Sequence, residues 1–338
     1  MKTSIISGMC AALLAATAAT ASLPAFAQDA AQAARPELNP MSRVTSLRAE
    51  LSDGESDNRV FGGKEAAKGA WPFQVALLTS DILDESPDSQ PNAQFCGGSL
   101  IAPNWVLTAA HCLNEYGEPV APESITALVG ATNLVEGKRY KVTQVIVHEG
   151  YNESTLDNDI GLLKLESNAA QAPVVLTDKD VESGDATVIG WGLMEDGYFP
   201  NDLMEAKIKL FPNNACNTGI KEIYKRDLGN FLRDLSWRMR FPEGAIDEAT
   251  VAISRTMGDP LTGNMLCAGE TDGARDACNG DSGGPLFTLG ADGKALQVGV
   301  VSWGEGPADG GAQCGHANAY GIYTRVANYK DWIASKTK

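Results

Sequence analysis

The chain has 338 residues, 43% of them hydrophobic and 21% charged, the balance of a soluble globular protein long enough to bury a real core. Its formal net charge of −16 argues against nucleic-acid binding, which needs a basic footprint, and favours cationic substrates. Past the N-terminus no stretch is apolar and long enough to span a bilayer.

The chain opens with Met1-Lys2, an Ala/Leu-rich run and Ala25-Phe26-Ala27. A basic start, an apolar centre and a small-x-small end read as a secretory signal over residues 1–27, which places the product outside the cytoplasm, extracellular or periplasmic. A short membrane anchor is the alternative, but Thr and Ser interrupt the run and Pro24 ends it. Cys10 leaves with the signal. Residues 28–59 are rich in Ala, Gln, Glu and Ser and read as a flexible pro-segment.

From Val60 onward short Val/Ile-rich runs alternate with Gly, Pro, Asn and Asp, at 73–78, 105–108, 140–147, 186–190 and 296–301. That pattern predicts an all-β sandwich or barrel, and periodicity does not choose between them. One stretch differs. Between Cys216 and Cys267, residues Ile220, Ile223, Tyr224, Leu228, Phe231, Leu232 and Leu235 recur at helical spacing, although Gly229 weakens the pattern. A second helix is expected after Pro242, through residues 245–249. Lys221, Lys225, Arg226, Arg233, Arg238 and Arg240 read as a solvated face. Six cysteines follow the signal: Cys96, Cys112, Cys216, Cys267, Cys278 and Cys314. An even count in a secreted chain implies three disulfides, with about 15 pairings open. Metal binding is the weaker reading, since there is no CxxC pair and there are three histidines in all.

The chemistry concentrates in Cys278-Asn279-Gly280-Asp281-Ser282-Gly283-Gly284-Pro285, one serine among glycines. Such a run could be a plain turn. A serine hydroxyl is a weak nucleophile, however, and needs a base and an orienting acid. A histidine lies upstream in Leu107-Thr108-Ala109-Ala110-His111-Cys112, and an aspartate in Asp157-Asn158-Asp159-Ile160-Gly161. The order His, Asp, Ser and the three contexts resemble the chymotrypsin/trypsin family of serine proteases. Esterases with a nucleophile elbow run Ser-Asp-His instead, and non-catalytic relatives on the same fold usually lack a triad member.

The resemblance implies two packed six-stranded antiparallel barrels, a C-terminal helix around residues 329–333, and a helical insertion at about 217–266 in a peptidase domain over 60–338. It implies His111 as base, Asp159 as orienting acid and Ser282 as nucleophile, with Asp157 a loop cap. It gives the amides of Gly280 and Ser282 as the oxyanion hole. It places Asp276 at the base of a pocket for arginine or lysine, with Ala277, Ser302, Trp303, Gly304 and Gly321 around it. Ala277 stands where a serine is common, which favours the guanidinium fork over an ammonium. The bond Arg59–Val60, before Phe61-Gly62-Gly63, resembles an activation site, and the freed Val60 amine would pair with Asp281. The implied disulfides are Cys96–Cys112, Cys216–Cys267 and Cys278–Cys314. Tyr320, before Gly321, raises the expectation of a sodium site. No calcium site is expected at 131–139, and no metal or cofactor is implied. His148 reads as a surface residue and His316 as structural. Expected partners are substrates with Arg or Lys before the scissile bond, together with protein inhibitors, and the chain is expected to be a monomer.

Overall fold

Twelve strands carry the architecture of the computed structural model, which describes residues 40–51, 63–194, 197–305, 314–315, 317–318 and 320–338. Six of them close the first barrel: β1 (Gln74–Thr79), β2 (Gln94–Ala102), β3 (Trp105–Thr108), β4 (Ile125–Val129), β5 (Lys138–Val147) and β6 (Gly161–Leu165), in the order β1-β2-β3-β6-β5-β4. The other six are β7 (Gly184–Gly190), β8 (Met204–Phe211), β9 (Met265–Gly269), β10 (Pro285–Leu289), β11 (Ala295–Gly304) and β12 (Gly321–Arg325). These run β8-β7-β10-β11-β12-β9, and β9 pairs back with β8 to close the second barrel. All twelve pairings are antiparallel.

The strand sequences explain the closure. In β8, Met204, Ala206, Ile208 and Leu210 turn inward while Lys207 and Lys209 face solvent, the period of two that lets one face enter a core. Strand β1 is buried along its whole length. Register shifts at Leu77/Leu78, Leu286/Phe287 and Val301/Trp303 bend the strands enough to curl each sheet on itself. The two barrels meet through aromatic packing, with Phe287 of β10 edge-on to Phe73 at 5.6 Å and tilted on Trp71 at 4.6 Å. They also meet backbone to backbone: a Cβ on Gly97 of β2 would lie 3.0 Å from the Cα of Gly284. Glycine is needed where two main chains approach that closely.

Three segments lie outside the barrels. Helix α1 (Pro40–Leu51) falls in the stretch whose composition predicted flexibility, and it is ordered against the first barrel. Pro40, Val44 and Arg48, at i, i+4 and i+8, form its buried face. The insertion forms α2 (Asn213–Met239) and α3 (Glu243–Ser254), as the periodicity predicts, but longer. Arg240, with φ of 54°, ends α2, and Pro242 precedes α3. Only the first half of the predicted stripe is buried, at Ile220 and Ile223, whereas Phe231 is exposed, because α2 outruns the barrel it packs on. The basic residues lie at the surface, with Arg226 paired to Asp227 at 3.0 Å and Lys221 to Asp259. Helix α4 (Lys330–Lys336) closes the chain. His148, expected at the surface, is half-buried instead, its ring against Tyr329 and Trp332 where α4 docks.

The three disulfides join Cys96 to Cys112, Cys216 to Cys267 and Cys278 to Cys314, the pairing the resemblance implies. No helix among the described residues is long and apolar enough to cross a membrane. Because Phe287 is fully buried at the barrel contact, Phe287→Ala should lower stability by about 3–5 kcal/mol, read as a reduced denaturation midpoint in guanidinium.

Candidate active site

Asp159 sits in a turn whose local conformation aims it inward. Asn158 adopts φ of 56°, a left-handed setting that asparagine tolerates, and its amide donates to the carbonyl of Gly150 at 2.9 Å. The turn sends the two flanking acids different ways. Asp157 accepts from the Thr262 hydroxyl at 2.7 Å and from the Asn264 amide at 3.2 Å, so it ties the loop to the second barrel. Asp159 has no solvent exposure at all.

His111 lies on a 3₁₀ turn, Ala110–Cys112, directly after β3. Its ring Nδ1 is 2.7 Å from Asp159 Oδ2, and its backbone N–H donates to Asp159 Oδ1 at 2.8 Å. The Ser302 hydroxyl donates to Asp159 Oδ2 at 2.5 Å, and the Thr324 hydroxyl donates to the Asp159 carbonyl at 2.6 Å. Ser302, expected to line the substrate pocket, thus binds the acid with its side chain. Sequence reasoning missed this because Ser302 and Asp159 lie 143 positions apart.

Ser282 is held beside this pair through its backbone. Its carbonyl accepts from the Gly97 N–H at 2.7 Å and lies 3.6 Å from Cys112 Sγ. Gly283, with φ of +80°, has no room for a side chain: a Cβ there would sit 2.5 Å from the Gly97 carbonyl. Gly280 takes φ of +97°, and its carbonyl accepts from the Gln94 side-chain amide at 2.9 Å. Among the described residues, neither the Gly280 nor the Ser282 N–H donates to a backbone carbonyl. Gln94 is a second contributor with no sequence signal, 186 positions from its partner.

Asp276 is buried below this loop and accepts from the Ala277 N–H at 2.8 Å. A Cβ on Gly321 would lie 2.6 Å from Asp276 Oδ1, so only glycine lets the two pack this closely. Gly304 pairs with Gly321 across β11 and β12, and its own Cβ would meet nothing nearer than 4.0 Å. Trp303 is half-buried beside them. Burial raises Asp276 from the ordinary carboxylate range to about 7, against the opposing pull of the Ala277 and Gly315 amides. Asp281 accepts from the Gly192 N–H at 2.8 Å and the Cys278 N–H at 3.0 Å. Desolvation raises it to about 6, while those amides and Arg48 hold it down.

The remaining expectations divide by position. Tyr320 packs its ring on Phe211 at 4.8 Å, within the cluster around Cys216 and Cys267. Arg59, Val60 and His316 lie outside the described residues. Cys96, His111 and Cys112 are close enough to suggest a metal, but the two sulfurs are consumed by their disulfide.

The family model described as Trypsin matches residues 60–230 and 244–333, so residues 231–243, the tip of the helical hairpin, fall outside it. The chain is similar to Transmembrane protease serine 11C of Mus musculus, 32% identical over 288 residues, 83% of this chain and 54% of that protein. It is also similar to coagulation factor XI of Bos taurus, 30% identical over 289 residues, 83% of this chain and 38% of that protein. Mannan-binding lectin serine protease 1 of Mus musculus is 31% identical over 296 residues, 82% of this chain and 35% of that protein. The chain therefore spans about half or less of the length of these relatives.

The Asp276 carboxylate gives this pocket a pH signature. Below pH of about 7 the group is protonated and neutral, and above it the group is anionic. Affinity for a small amidinium such as benzamidine should therefore rise about tenfold per unit toward pH 7 and then level off. Calorimetric titration from pH 5 to 9 checks this, and Asp276→Asn should flatten the profile.

Proposed function

Because the chain belongs to the trypsin family of serine proteases, we propose that it is a secreted endopeptidase, made as a zymogen, that cleaves after arginine and less readily after lysine. The observation that carries this reading is the His111–Asp159 pair beside the Ser282 loop, with a buried carboxylate, Asp276, under the same loop. A peptide bond placed over Ser282 with its arginine on Asp276 meets each group the reaction requires.

His111 Nε2 takes the Ser282 hydroxyl proton as the oxygen attacks the carbonyl carbon. Asp159 fixes the proton on Nδ1 and stabilises the imidazolium that forms. The carbonyl oxygen becomes an oxyanion facing the N–H groups of Gly280 and Ser282, each such donor worth about 3 kcal/mol of barrier. His111 then gives its proton to the leaving nitrogen, the C–N bond breaks, and an acyl-Ser282 ester remains. Water, deprotonated by the same imidazole, hydrolyses the ester and frees the enzyme. The Ser302 hydroxyl acts through Asp159 and is a positioning residue.

The pro-segment reading rests on the sequence at Arg59–Val60 and on the state of Asp281. A carboxylate desolvated under the loop, accepting two amides, provides a ready partner for a new amine at Val60. Cleavage would thus create the cation that completes the loop. Secretion rests on residues 1–27.

Two outcomes check the reading. A fluorophosphonate should label Ser282 after cutting at Arg59 and label the uncut chain at least about tenfold more slowly, while Ser282→Ala abolishes labelling; a cut chain that stays unlabelled contradicts an enzyme. In addition, kcat/KM on matched peptides should be higher for arginine than for lysine, since Ala277 offers no hydroxyl to an ammonium. Equal values would remove the assigned role of Ala277.

A further inference from the structure

Two buried arginines among the described residues take no part in the mechanism: Arg325, paired with Asp180, and Arg48, which belongs to the segment before residue 60. Arg48 of α1 is 4% exposed. Its Nη2 donates to the Trp191 carbonyl at 2.7 Å and to the Gln94 side-chain oxygen, and its guanidinium lies 4.2 Å from the centre of the Phe199 ring. Each partner belongs to the catalytic neighbourhood. Gln94 also donates to the Gly280 carbonyl, Trp191 adjoins the Gly192 amide that holds Asp281, and Phe199 would contact a Cβ on Gly280 at 3.3 Å. One turn earlier, Arg43 donates to the Asn279 side chain at 3.0 Å, three residues before the nucleophile. Between the arginines Val44 is 2% exposed and joins the main core, with Met41, Leu47 and Leu51 packed around it.

We propose that Pro40–Leu51 is a built-in inhibitor of the cleft, whose Arg48 fills a second guanidinium pocket formed by Gln94, the Trp191 carbonyl and Phe199. This inference rests on the protease reading and on the cut at Arg59. Among the described residues, Asp276 accepts from the Ala277 amide and packs against Gly321, neither of which touches Arg48. Helix α1 touches Asn279 directly and reaches Gly280 through Gln94, the edge beside Ser282 along which the leaving-group side of a substrate seated on Asp276 would run in this reading. Burying an arginine without partners is prohibitive, and here Nη2 has two acceptors and the ring face of Phe199 beside it, while Nε is buried without an acceptor among the described residues. Burial pulls Arg48 down to about 9 while the Asp281 carboxylate opposes that shift, so helix and activation latch share one field.

The consequence is a two-step release. Residues 28–59 contain no cysteine, so no disulfide can retain the segment once Arg59–Val60 is cut. It then holds by contacts alone and must dissociate before a long substrate can enter. Once it has left, the vacated pocket would select arginine on the leaving-group side of the scissile bond.

The test uses a fluorescent peptide of residues 38–53 and the full chain cut at Arg59, measured by anisotropy with Ser282→Ala so that turnover does not interfere. We expect saturable binding, weakened about 10- to 100-fold by Arg48→Ala in the peptide, with Arg48→Lys intermediate. In the active protein the same peptide should inhibit cleavage of a long peptide that spans the cleft far more than hydrolysis of a small arginyl arylamide. In the uncut chain, amide exchange over 40–51 should be slow and should accelerate with Arg48→Ala while the barrels are unchanged. No binding, or equal binding of the Arg48→Ala peptide, overturns the inference even where fluorophosphonate labelling upholds the protease. Failed labelling with Arg48-dependent binding upholds the pocket and overturns the protease reading.

Discussion

The structure turns on one carboxylate that water never reaches. Asp159 is fully buried, and a lone buried charge is strongly destabilising unless its lone pairs are satisfied. Three donors meet it: the His111 amide, the His111 ring and the Ser302 hydroxyl. The first two come from the turn after β3 in the first barrel, and the third from β11 in the second. Thr324 of β12 fixes the Asp159 carbonyl from the second barrel as well. The carboxylate is therefore fully satisfied only when the barrels are correctly joined, so packing of the two barrels and the placing of His111 are coupled.

A second layer of constraint lies under the Ser282 loop. Gly97, Gly283 and Gly284 allow the two main chains to touch, which presses Ser282 against the Cys96–Cys112 bridge. Two more carboxylates, Asp276 and Asp281, are then desolvated beneath it, and both titrate well above their ordinary range. Each is held by backbone amides, Asp276 by Ala277 and Asp281 by Gly192 and Cys278. Arg48 approaches the same loop from a third direction, through Gln94 and the Trp191 carbonyl.

Much of this was legible in the chain. The strands announced themselves by Val/Ile runs between turn residues, the serine by its glycines, and the insertion by helical spacing at Ile220 and Ile223. What failed did so for a common reason. His148 looks polar in isolation, yet the rings of Tyr329 and Trp332 cover it, and nothing local foretells that docking. Phe231 continues a helical stripe, yet no surface waits for it at that distance from the barrel. Residues 40–51 have too few large apolar groups to order themselves, and it is the groove beside β2 that supplies the burial.

Local sequence thus determined the strand and helix periods and the parity of the cysteines, and the short contexts around His111, Asp159 and Ser282 singled those residues out. These are properties of neighbouring residues, and neighbours can be read in order. Tertiary structure alone decided that Ser302 serves Asp159, that Gln94 braces Gly280, that Gly321 packs against Asp276, and that Arg48 finds a buried seat. Each of those depends on groups 45 to 186 positions apart coming within hydrogen-bond reach. Burial then sets their energies, because removing water turns an ordinary aspartate or arginine into a group that must have a partner.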